Sequence, residues 1–159
     1  MTVLSGSSSA EIDAPIERCW ALIQALDEAP RWQTGLERVD VLERDDQGRP
    51  LVCDTVNDAK FTKVHCRVRV TYEPPHKLMV TRVESEDVDA MDASWELEEL
   101  SDQRTQATYR LAVDPGPVPL LARPLVNALR PLVVGNRAAE LARAVALPGR
   151  RSPHPQKRP

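Results

Sequence analysis

Three stretches of this chain change character at every second residue, and that feature limits the folds open to it. Between Thr62 and Tyr72, Val64, Cys66, Val68, Val70 and Tyr72 alternate with Lys63, His65, Arg67, Arg69 and Thr71. Met91, Ala93, Trp95 and Leu97 alternate with Asp92, Ser94, Glu96 and Glu98. Thr105, Ala107, Tyr109, Leu111 and Val113 alternate with Gln106, Thr108 and Arg110. Successive side chains of a strand point to opposite faces, so each stretch predicts a strand with one buried and one wet face. Strands of a parallel sheet are covered on both faces and read as continuous apolar runs, so this sheet is antiparallel. Val39 with Val41, Leu51 to Val56, and Leu78 to Val83 add shorter strands. Asp45 to Gly48, Pro74-Pro75 and Ser101-Asp102-Gln103 supply the turns of a meander.

Helical spacing flanks this block. Ser7 to Ala10 reads as extended, and Pro15 can open a helix at its first position. Ile16, Cys19, Trp20 and Ile23 then fall on one helical face, before the breakers Pro30 and Gly35. Asp114 to Pro119 ends the sheet, and the spacing predicts one long helix from about Leu120 to Leu147, kinked at Pro131. Arg123, Arg130 and Arg137 recur every seven residues and so share its polar face. The layout is α+β, with helices on one face of an antiparallel sheet. It predicts one domain over residues 1–149 and a disordered basic tail over residues 150–159.

Bulk properties exclude several classes. A net charge of -3 gives no global attraction to nucleic acid. Cys19, Cys53 and Cys66 are odd in number and widely spaced, which speaks against a disulfide framework and for a reducing, cytoplasmic setting. No secretory signal or spanning helix is visible. No metal is expected: His65 and Cys66 are adjacent, so they point to opposite faces of a strand, and the other cysteines lack ligand spacing. No cofactor is expected either, since no glycine-rich phosphate loop stands out, and neither does a nucleophile elbow or a carboxylate pair.

The order of motifs resembles the START-like, or SRPBCC, superfamily. A strand leads into Ala14-Pro15, Trp20 follows on an amphipathic helix, and Pro30-Arg31-Trp32 comes after it. Trp95-Glu96-Leu97 matches the penultimate strand of that superfamily, and Tyr109, the proline-rich turn and the final helix match its end. The branch most similar is the polyketide cyclase/dehydrase and coenzyme-Q-binding group. The resemblance implies a helix-grip fold, in which a curved seven-stranded antiparallel sheet wraps a long C-terminal helix around a hydrophobic cavity. It implies an intracellular binding or carrier protein for a lipid, quinone or polyketide-like molecule. Its alternative is a polyketide cyclase/dehydratase acting on a poly-β-ketone. Some members of the branch are ribosome-associated toxins, which leaves an interaction module as a third reading.

The residues expected to face such a cavity are Trp32, Val64, Val68, Val70, Met91, Trp95, Leu97, Tyr109, Leu111, Leu125 and Leu129. From the residues alone the alternation reads first as a filled core; the cavity comes from the resemblance. Trp32 either caps the cavity mouth or packs on the sheet edge. Tyr109 is the one catalytic candidate, as proton donor or carbonyl orienter, against a structural role bonded to backbone. The cyclases of the superfamily place an arginine inside the cavity, whereas here Arg67 and Arg69 fall on the wet face and no inward arginine is evident. The stripe of Arg123, Arg130 and Arg137 reads as a solvated face or as a weak contact for an anionic membrane surface. Oligomeric state is not legible.

Overall fold

The computed structural model describes residues 3–58, 62–117 and 135–147. Strand β1 (Leu4–Ile12) leads into helix α1 (Ile16–Gln24) and a 3-10 helix (Leu26–Arg31). Six strands follow: β2 (Leu36–Arg44), β3 (Pro50–Asp58), β4 (Lys63–Glu73), β5 (Lys77–Glu84), β6 (Ala90–Ser101) and β7 (Arg104–Asp114). Helix α2 (Arg137–Ala146) is the last element described. The strands form one seven-stranded sheet in the order β1-β7-β6-β5-β4-β3-β2. All pairings are antiparallel, and β1 joins the meander by pairing with its last strand. Register shifts interrupt the β2–β3, β4–β5 and β6–β7 ladders. Each shift adds local twist and bends its strand, which curves the sheet. This is the α+β helix-grip architecture that the motif order implied.

Period-two patterning carries through to burial. On β4, Cys66, Val68 and Val70 are buried while His65, Arg67, Arg69 and Thr71 are exposed. Asp45 builds the β2–β3 turn: its Oδ1 accepts the N–H groups of Gln47 and Arg49, both at 2.9 Å. Gly48 takes φ +82 there, a conformation that disfavours a Cβ.

Ile16, Cys19, Trp20 and Ile23 are the buried residues of α1, as their spacing predicts. Pro15 sits one position earlier than expected, as the N-cap, and its carbonyl accepts from Arg18 and Cys19. The fully buried Thr105 fixes this corner by donating to the Ala14 carbonyl at 2.8 Å.

One expectation needs correction. The helical pattern does not run unbroken to Leu147, because Gly135 has φ +56 and forms a turn with Asn136 ahead of Arg137. A glycine in the left-handed region resets the chain direction, so helical spacing counted from Leu120 does not carry across it. Residues 118–134, with Leu125, Leu129, Arg123 and Arg130, lie outside the described residues, as does the tail 150–159. Helix α2 is seated by the buried Ala138, Leu141 and Val145. Ser8 Oγ accepts from the Ala138 N–H at 3.1 Å, and Arg18 donates to the Val145 carbonyl at 2.5 Å. A cation at a helix C-terminus is favourable, since the last carbonyls carry partial negative charge.

Candidate functional site

A cavity of about 70 Å³ lies on the inner face of the sheet, under α1 and α2. Its wall draws on Ile23 of α1, Leu26 of the 3-10 helix, and Leu36, Thr55, Val68, Leu78, Val80, Met91, Trp95 and Tyr109 of six strands. Arg137, at the start of α2, completes it. Alternation explains the apolar share: Val68, Leu78, Val80, Trp95 and Tyr109 are the inward residues of β4 to β7.

Of the residues expected to line a cavity, Val68, Met91, Trp95 and Tyr109 do so. Trp32, Val64, Val70, Leu97 and Leu111 are in or against the core but do not line this space. Alternation identifies the face of a strand, not how far along it a void extends: Val70 and Leu97 are as buried as the lining residues Val68 and Leu78 but lie in the core away from the void. Leu78 and Val80, absent from the expected set, carry the same alternating signal on β5 and were legible in principle. Gln33 and Leu36 were not, because their place depends on the chain reversal after the 3-10 helix, and Thr55 was not, because burial along β3 does not alternate.

Aromatic rings run from the connection after α1 to the cavity. Trp95 and Tyr109 are direct cross-strand partners, with ring centroids 5.0 Å apart. Trp32 packs on Trp95 at 6.1 Å. Trp32 thus packs partly buried behind the Trp95 wall, and its buried Nε1–H has no acceptor among the described residues.

Arg137 is the main departure from the sequence reading. It was expected on a solvated face with Arg123 and Arg130; instead its side chain is 11% exposed and turns inward. Its guanidinium carbon lies 5.6 Å from the centroid of the Tyr109 ring. The Gly135 turn is the physical reason, since it sets the rotation of α2 independently of any preceding spacing. An arginine thus does enter the cavity wall, from the last helix rather than from a strand.

Arg137 and Glu140 form one unit with the loop before β2. Arg137 Nη1 is 2.9 Å from Glu140 Oε1 and donates to the Thr34 carbonyl at 2.9 Å. The Thr34 N–H donates to Glu140 Oε2 at 3.2 Å. One turn of α2 therefore satisfies both backbone groups of Thr34.

Burial pushes the Tyr109 hydroxyl pKa above its ordinary value, and the Arg137 guanidinium opposes this by charge and hydrogen bonding. Tyr109 stays a neutral O–H at physiological pH. Among the described residues it makes no hydrogen bond to a backbone group, and the Arg137 guanidinium is the charged group beside its ring.

Cys19, Cys53 and Cys66 are free and buried. Burial raises all three thiols, Cys53 to about 11, so none is a ready nucleophile. No metal-ligating cluster occurs among the described residues. No helix among them is long and apolar enough to cross a membrane.

The fold and the partly open cavity beside the last helix define a helix-grip protein. Residues 12–139 match the family described as polyketide cyclase / dehydrase and lipid transport. The chain belongs to that family. A START superfamily protein from Mycobacterium smegmatis is similar in structure, with TM-score 0.74 and 18% identity, over 89% of this chain and 96% of that one. The Zhui aromatase/cyclase from a Streptomyces species is similar at TM-score 0.74 and 15% identity, over 91% of this chain and 92% of its own. A protein from Thermus thermophilus is similar at TM-score 0.74 and 20% identity, over 89% of this chain and 96% of its own. At these identities the likeness is one of fold. No curated protein matches the chain.

Proposed function

We propose that this chain binds a hydrophobic small molecule, of lipid, quinone or polyketide type, between the sheet, α1 and α2. The observation that carries this reading is the cavity itself: a largely apolar wall, with Gln33, Thr55, Asn57 and Ser94 as its uncharged polar residues and with Tyr109 and Arg137 side by side at one place. Ligand sites commonly combine an apolar lining with a few convergent polar groups. The family description, which includes lipid transport, supports the same reading. Three free buried cysteines accord with a reducing, cytoplasmic setting.

At about 70 Å³ the cavity is smaller than the roughly 150 Å³ space that accepts benzene in an engineered protein core. Ligand entry therefore requires the wall to move. Met91 is the side chain suited to this, being unbranched and only partly buried. A thermal-shift panel of apolar compounds tests the reading. A ligand at 100 times its dissociation constant adds about 2.7 kcal/mol, which raises the melting temperature of a domain this size by about 5–10 °C. A panel in which no compound shifts the transition would overturn it.

A second reading, a polyketide cyclase or dehydratase, is favoured by one observation. Tyr109 is held as a neutral O–H donor beside a cation, an arrangement suited to protonating or polarising a ketone oxygen. On this reading Tyr109→Phe abolishes turnover of a poly-β-ketone and leaves its binding intact. An unchanged product profile would remove the enzymatic reading.

A further inference from the structure

Arg137 is the one charged side chain lining the cavity among the described residues. Taken alone, a buried arginine suggests an anionic ligand. Its surroundings argue otherwise. Glu140, 9% exposed, already balances the charge at 2.9 Å, and both groups hold Thr34. The bonds to Thr34 and Glu140 use Nη1 alone, and Arg137 Nε is a buried donor that has no hydrogen-bond partner among the described residues. The Tyr109 hydroxyl, kept protonated by burial, is the neighbouring donor.

We infer that the Arg137–Glu140 pair makes the cavity selective for an uncharged ligand carrying an acceptor oxygen, such as a ketone or ester carbonyl, over a carboxylate of the same shape. This rests on the binding function proposed above. A carbonyl accepts the spare N–H and adds no charge. A hydrocarbon leaves that N–H unpaired, which is costly in a buried place. A carboxylate puts two negative groups around one guanidinium, away from water, where an uncompensated charge is strongly disfavoured. Glu140 therefore acts as a specificity-determining residue that cancels the attraction Arg137 would otherwise exert on anions.

The test uses three one-ring probes of similar size at pH 8: ethylbenzene, acetophenone and benzoate. Binding is read by quenching of tryptophan fluorescence and by calorimetry. Wild type is expected to bind acetophenone at least about tenfold more tightly than benzoate, and more tightly than ethylbenzene. Glu140→Gln keeps an acceptor for the Thr34 N–H and unmasks the guanidinium. It is expected to strengthen benzoate binding about tenfold while changing acetophenone less than about threefold. Benzoate binding as tightly as acetophenone to wild type would overturn the inference. So would a Glu140→Gln variant that folds and leaves the ratio unchanged. Should that variant fail to fold, the wild-type ratio decides. Ethylbenzene and acetophenone binding equally well would sink the selectivity and leave the binding function standing. If none of the probes binds, the binding function falls and the selectivity falls with it.

Discussion

The Arg137–Glu140 pair gives a sharp stability prediction. Arg137→Met removes the guanidinium and leaves Glu140, at 9% exposure, with the Thr34 N–H as its remaining donor; the Thr34 carbonyl also loses its partner. Breaking a buried ion pair from one side costs about 3–5 kcal/mol, because a charge remains without compensation. That is a large part of the roughly 5–15 kcal/mol typical of a small domain. Glu140→Leu strands the arginine in the same way. The double variant Arg137→Met/Glu140→Leu buries no charge, and Thr34 is exposed, so its freed N–H and carbonyl can turn to water. The double variant is thus expected to lose no more than one single variant, and far less than the sum of two. The coupling energy should exceed about 2 kcal/mol. Urea unfolding followed by circular dichroism measures all four species. Single-variant losses below about 1 kcal/mol, or additive losses, would refute the reasoning. Either would mean that the pair behaves like an exposed salt bridge.

Other outcomes follow from the same structure. Leu78→Ala, at a cavity-lining residue 1% exposed, should cost about 2–5 kcal/mol and enlarge the cavity, which thermal melts with and without a larger apolar ligand would show. Arg67→Ala removes a bidentate pair with Asp54 at 2.7 and 3.1 Å, but both partners are exposed, so denaturant midpoints should change by less than about 1 kcal/mol. Burial raises the Cys53 thiol from 9.0 to about 11, so the unfolded chain releases this proton first as pH rises. Its contribution is complete below pH 9 and lost as pH climbs to about 11; Cys53→Ala should flatten the decline in stability measured between those limits.

Much of the fold was legible because its signal is periodic. Val64 to Tyr72 fixed the face of β4, and Ile16, Cys19, Trp20 and Ile23 fixed that of α1. Turn chemistry at Asp45 to Gly48 and at Ser101 to Gln103 separated the strands. Legibility ended where geometry depends on one residue or on distant segments meeting. Gly135 looked like an ordinary residue within a helical pattern, yet its left-handed φ sets the direction from which Arg137 enters. Alternation excludes an inward arginine from β4, and helical spacing alone does not mark one on α2. The extent of the cavity was hidden for a related reason: Val68 and Val70 carry the same signal on the same strand, but only Val68 meets the void. Glu140 gave no sequence cue, because a glutamate in the first turn of a helix normally faces water.

The central claim is that the space beneath α2 holds an apolar molecule, and native mass spectrometry after incubation with a cell extract tests it most directly. Wild type is expected to retain a non-covalent species that is released on activation. Ala93→Phe, which fills the cavity from β6, should remain at the mass of its polypeptide. Wild type found only at its polypeptide mass would contradict the account.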